Sequence, residues 1–95
     1  MILHVTDVSY IEKYKVRVSF NNGETGIVDL SHALKGPVFE PLNDLSLFAK
    51  LKLDSELETI VWPNGADLAP EYLYFLAFKD NPKLQAQFQR WGYIS

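Results

Sequence analysis

Cysteine is absent from this 95-residue chain, which removes disulfides and thiolate metal ligands together. A small chain without such staples fits the reducing cytoplasm and has to be held by its core. Long apolar runs are missing as well. The longest, Tyr72 to Phe78, falls far short of the ~18 residues that span a bilayer, so no membrane association is expected. The opening Met1-Ile2-Leu3-His4 has no basic segment leading into an apolar stretch, as a secretory signal would. Positive charge is scarce: 9 Lys and Arg stand against 12 Asp and Glu, for a net charge of −3. That disfavours direct contact with nucleic acid, which rests on clustered cations. Lys13, Lys15 and Arg17 form one small basic patch and Lys79, Lys83 and Arg90 another, neither large enough to outweigh the acidic remainder.

The residues of catalysis are thin too. The 5 glycines never fall into a dinucleotide or phosphate-loop pattern. The 2 histidines, His4 and His32, lack the H-x-x-x-H or H-x-H spacing of a metal site. Glu12, Glu24, Asp54, Glu56 and Glu58 lie at turns and strand ends, where solvated carboxylates belong, and no pair is spaced for acid–base work. No catalytic residue, cofactor or metal ligand is therefore assigned, and the expectation is a protein that is not an enzyme.

What is present is a core: 47% of residues are hydrophobic and 14% aromatic. A chain this short buries roughly 60–65% of its unfolded surface, enough for one α+β domain over residues 1–95. The first strand, Ile2 to Tyr10, shifts its apolar phase between Val5 and Val8, which predicts a bulge near Thr6 and Asp7. Tyr14, Val16, Val18 and Phe20 alternate with Lys15, Arg17 and Ser19, a strand with one wet face. Asn22-Gly23 then predicts a two-residue type I′ turn, which would pair Val18 with Ile27 and Phe20 with Thr25. Gly26, inside the returning strand, marks a close approach.

Asp29 is expected to cap a short helix ending before Gly36-Pro37, and Asp44 to favour a second with Leu45 and Phe48 on its buried face. Leu51 to Leu53 and Leu57 to Trp62 are two more strands, the latter stopped by Pro63, with Asn64-Gly65 a second tight turn. Pro70-Glu71 opens a helix in the favoured order, and that helix is apolar all round. Asp80 or Asn81 caps a last helix, closed by Gly92, in a C-terminal helical extension over residues 78–95. The architecture expected is an antiparallel sheet of about five strands with short helices and C-terminal helices packed against it.

Two surfaces qualify for partner binding. The run Trp62 to Glu71 is a rigid corner whose Trp62, Asn64, Asp67 and Glu71 would form a rim, with an exposed indole edge as anchor and Asp67 taking N–H bonds near the helix start. Leu84, Phe88 and Trp91 recur at i, i+4 and i+7, a stripe that docks on its own core or on a neighbour. A ligand pocket is the competing use, and it would gather His32, Asp67 or Glu71.

The order of these signals resembles a family of small bacterial proteins, domain of unknown function family 2442. The resemblance is carried by Val18-Ser19-Phe20-Asn21-Asn22-Gly23, Asp29-Leu30, Phe39-Glu40-Pro41-Leu42-Asn43-Asp44, Phe48, the Trp62–Glu71 run and Leu73-Tyr74, roughly the first four-fifths of the chain. It implies a compact α+β domain without assigned catalytic residues. Some members carry a C-terminal helix-turn-helix, for which Lys79 to Ser95 is too short. Others lie beside genes of a second small family, a pairing read as toxin–antitoxin. The expected function is thus protein interaction, antitoxin-like or accessory, with a neighbouring gene's product or a second copy in a homodimer as partner. The alternatives are a transcription-regulatory accessory domain that contacts DNA directly or through a partner, and a small-ligand-binding domain.

Overall fold

Alternation of apolar and polar residues at the front of the chain builds a three-stranded antiparallel sheet. In the computed structural model, which describes residues 2–94, β1 (Val5–Glu12), β2 (Lys15–Phe20) and β3 (Thr25–Asp29) lie in that order. Val16, Val18 and Phe20 point inward and are buried, while Lys15 and Arg17 face out. The phase change in β1 is a bulge: the register shifts between Val5 and Asp7, and again between Tyr10 and Glu12.

The hairpin of β2 and β3 pairs one residue away from expectation. Val18 faces Gly26 and Ser19 faces Thr25, not Val18 with Ile27 and Phe20 with Thr25. The turn explains the slip. A type I′ turn needs positive φ at both Asn22 and Gly23, yet Lys13 and Glu58 alone have it among the described non-glycine residues. Gly23 takes the left-handed conformation by itself, at φ 88°. Its N–H donates to the Phe20 carbonyl at 3.1 Å, and the Phe20 N–H donates to the Glu24 carbonyl at 2.9 Å, which makes a three-residue loop. The Asn22 side chain accepts from the Glu24 N–H at 3.0 Å.

This slip decides which face each residue sees. Ile27 goes to the solvent face beside Arg17 and is 56% exposed. Gly26 goes inward, where a Cβ would sit 2.9 Å from the Ala77 Cβ and 3.1 Å from the Phe78 ring. The Phe78 ring can turn aside, but the Ala77 Cβ moves only with its helix. Gly26→Ala should therefore destabilise the protein by about 1–3 kcal/mol. The check is a urea midpoint that falls at constant m-value; an unchanged midpoint would mean the helix shifts freely.

The other two strands form a sheet of their own, β4 (Lys52–Asp54) with β5 (Thr59–Val61), so the strands divide as three and two instead of joining in one sheet of about five. β1 joins the two sheets: the Val5 N–H donates to the Glu58 carbonyl at 2.9 Å. No helix follows Asp29. The Ala33 N–H donates to the Leu30 carbonyl at 2.9 Å and closes one turn, which Asp29 caps by accepting the Ser31 N–H at 2.9 Å. The turn does not propagate before Gly36-Pro37. The Ser31 backbone bond, then one from the Ser31 side chain, holds the Asp29 carboxyl below the usual carboxylate range. Leu30 and Leu34 nevertheless reach the core.

A 3₁₀ turn over Glu40–Asn43 leads into the single turn of α1 (Leu45–Phe48), capped by Asp44, which accepts from the Ser46 N–H at 3.0 Å. Phe48 is buried, but Leu45 is 43% exposed, contrary to expectation, because one helical turn points a single large side chain inward. Pro70 occupies the first position of α2 (Pro70–Phe78), after an extended Ala69. Asn81 caps a 3₁₀ turn over Pro82–Leu84 that runs into α3 (Gln85–Trp91), and Gly92, at φ 84°, ends it. α2 lies on β3 and α3 folds back on α2, with Phe88 meeting Phe75 and Tyr74 at ring separations of 5.1 and 6.3 Å. One hydrophobic cluster runs from Val5 to Phe88. The C-terminal extension belongs to it through Ile94; Ser95 lies outside the described residues.

Candidate interaction groove

Trp62 is the first candidate the structure corrects. Pro63 stops β5 just beyond it, and the chain closes a second three-residue loop of the same build as the first. The Trp62 N–H donates to the Ala66 carbonyl at 2.9 Å, and the Gly65 N–H to the Trp62 carbonyl at 3.0 Å. Asn64 accepts from the Ala66 N–H at 3.2 Å, as Asn22 does from Glu24, and Gly65 takes φ 88°. The loop turns the indole inward. Trp62 is 2% exposed, and its ring N–H donates to the Phe48 carbonyl at 2.9 Å. A large aromatic with its polar handle satisfied inside is a core residue, so the exposed indole edge expected of the corner is not there.

The remaining residues of the corner separate. Asn64 ties the loop to the Val38 carbonyl at 2.9 Å and is exposed. Asp67 is exposed and bridges backbone to backbone with Val61, while α2, with Ala69 at its N-cap, has no side-chain cap. The N–H bonds expected of Asp67 at the helix start are absent among the described residues. The C-terminal stripe turns inward as well: Phe88 is 0% exposed and Leu84 packs against the core, which leaves Trp91 half-buried at its edge.

Glu71 and Trp91 come together. They line an open groove of about 380 Å³. Its walls are Ile2 and Leu3 before β1, Asn22 in the turn between β2 and β3, Glu71 and Tyr74 on α2, and Gln87 and Trp91 on α3. The helix spacing accounts for each helical pair, since Glu71 and Tyr74 stand at i, i+3 and Gln87 and Trp91 at i, i+4. Asn21 holds the N-terminal wall: its amide donates to the Ile2 carbonyl at 2.8 Å and accepts from the His4 N–H at 2.9 Å.

Tyr74 forms the floor. It is 4% exposed, its hydroxyl donates to Glu24 at 3.2 Å, and it accepts a long 3.5 Å contact from Asn22. Burial first, then the Glu24 charge, pushes its phenol above the ordinary tyrosine value. Tyr93 is pushed up in the same way, by burial and then by Glu71. Trp91 stands edge-on to Tyr74 and Tyr93, at 6.1 and 6.2 Å between rings.

The pocket foreseen around His32, Asp67 or Glu71 gathers Glu71 alone of the three. His4 pairs instead with Glu58 at 3.0 Å, on the route that ties β1 to the β4–β5 turn. Among the described residues no three His, Cys, Asp or Glu side chains come close enough to hold a metal ion, and no helix is long and apolar enough to cross a membrane. The groove residues that sequence reasoning missed are Ile2, Leu3, Asn22, Tyr74 and Gln87. Helical spacing from Glu71 and Trp91 could have found Tyr74 and Gln87; no local signal joins Ile2, Leu3 and Asn22 to them.

The family model described as Protein of unknown function (DUF2442) matches residues 5–79. No curated protein matches the chain. Among solved structures, a crystal structure described as a "putative DNA binding protein" from Nitrosomonas europaea is similar over 100% of this chain, with a TM-score of 0.75 and 19% sequence identity. The chain spans 64% of that protein's length. At that identity the likeness speaks for the fold.

Proposed function

The chain belongs to DUF2442, a family of proteins of unknown function, and from its geometry we propose a non-enzymatic protein-interaction domain that engages its partner at the groove between α2, α3 and the turn joining β2 to β3. The observation that carries this reading is the meeting of Glu71 and Trp91. They are the two candidate residues that share an open concave surface, whereas Trp62 and Phe88 are spent on the core. A half-exposed indole braced by other rings, beside a carboxylate, is the kind of anchor that dominates binding energy. The reading includes an antitoxin-like or accessory role in the cytoplasm, as the family resemblance implies, with a separate small protein as its partner.

The test is quantitative capture from the native host with wild-type chain and with Gln87→Lys and Trp91→Ala, each first shown to be folded. A partner that binds through the groove should drop at least about tenfold with both variants and bind the purified wild-type chain directly. Identical recovery with all three proteins would end the groove reading.

A second reading takes its support from the structural neighbour described as DNA-binding. Lys15 and Arg17 point outward from β2 on the open face of the sheet, where they would meet phosphates. On this reading the chain retards DNA from its own promoter, in a salt-dependent way that joint Lys15→Glu and Arg17→Glu replacement abolishes. Retardation that survives the charge reversal would remove this face.

A further inference from the structure

We propose that the groove recognises a positively charged side chain, arginine or lysine, carried by an exposed segment of the partner protein. The proposal rests on the interaction reading above and adds the chemistry of what enters. Glu71 stands half-buried in the first turn of α2 and forms no ion pair or hydrogen bond with any described residue; the ion pair of this end of the molecule, His4 with Glu58, lies outside the lining. Across the floor, the Tyr74 hydroxyl is committed to Glu24, so a second carboxylate stands behind the ring. Among the described residues no Lys, Arg or His lines the groove. Glu71 and Glu24 therefore place negative charge on both sides of it.

The remaining lining suits the rest of such a side chain. Trp91 is held by ring contacts to Tyr74, Phe88 and Tyr93, so its indole is a fixed aromatic surface at the mouth. A guanidinium or ammonium group gains from an aromatic face and from a carboxylate together, because both act on the same positive charge. Ile2 and Leu3 give apolar cover for a methylene stem. A glutamine in that place could hydrogen-bond Glu71 but would leave its charge uncompensated as it lost water, and a glutamate would oppose it.

The experiment is an NMR titration of the full ¹⁵N-labelled chain with blocked alanine pentapeptides bearing arginine, lysine, glutamine or glutamate at the centre. Arginine and lysine peptides should shift the Trp91 indole N–H and the Asn22 and Gln87 side-chain amides, with an affinity that falls as salt rises. The glutamine and glutamate peptides should leave those signals in place up to about 10 mM. Glu71→Gln, which changes no packing volume, should weaken the arginine peptide about three- to fivefold, and Gln87→Lys should block it. Absent shifts, an affinity for the glutamine peptide equal to that for arginine, or undiminished binding by Glu71→Gln would each overturn the proposal. If partner capture still depends on the groove while arginine peptides fail, the cation falls and the interaction reading stands. If capture ignores the groove variants, both fall.

Discussion

Trp62→Ala is expected to lower stability by about 3–5 kcal/mol, a large share of what holds a domain of this size together. Two losses combine. The indole leaves a cavity between β5 and α1, where it packs on Phe48 at 5.6 Å between rings. Its N–H also leaves the Phe48 carbonyl, which keeps the Leu51 N–H at 3.2 Å as its other partner. Trp62→Phe separates the two, because it keeps most of the apolar volume and removes the hydrogen bond; it should cost about 1–2 kcal/mol. Urea unfolding followed by far-ultraviolet circular dichroism reads both. The outcome that would sink the assignment is a Trp62→Ala protein as stable as wild type but deficient in partner binding, since that is how a surface anchor behaves.

Phe88→Ala should be comparably damaging, about 3–5 kcal/mol, although it lies beyond residues 5–79 that match the family model. Its ring is fully enclosed by Tyr74, Phe75 and Trp91 at 5.1 to 6.3 Å between ring centres. The cavity would sit under α3 and behind the groove, so the Trp91 environment should change along with stability. Trp91 fluorescence, measured in a Trp62→Phe background to leave one indole, reports this directly. A near-neutral Phe88→Ala would show that α3 is an appendage and that the core ends with α2. Phe88→Leu, which refills most of the space, should recover more than half of the loss.

These two residues show where sequence reasoning reached and where it stopped. Trp62 stands out in sequence because Trp-Pro-Asn-Gly is a rare string, and rarity reads equally well as a corner or as a rim. Burial decided between them, and burial depends on α1, which places the Phe48 carbonyl 14 residues away. Phe88 was placed correctly on a helix stripe, but a stripe does not say whose core it enters. The short elements were legible where one local signal sufficed: the bulge at Thr6, Asp44 before α1, Pro70 at the start of α2 and Gly92 after α3. The Asp29 helix stopped at a single turn: Asp29 bonds the Ser31 N–H as a cap does, but so short a nucleus ahead of Gly36-Pro37 does not propagate.

Composition and local pattern by themselves determined that this chain builds a stapleless α+β fold: alternating strands at the front, tight Asn-Gly turns, and proline-opened helices at the back. Those features arise from forces acting within a few residues, namely backbone sterics, capping and alternation of apolar side chains. Tertiary structure alone decided the close approach of Gly26 to Ala77, the division of the strands into two sheets, and the convergence of Ile2, Asn22, Glu71 and Trp91 on one groove. Packing between distant segments makes those choices, because only the assembled core fixes which side chains lose their water and which keep it.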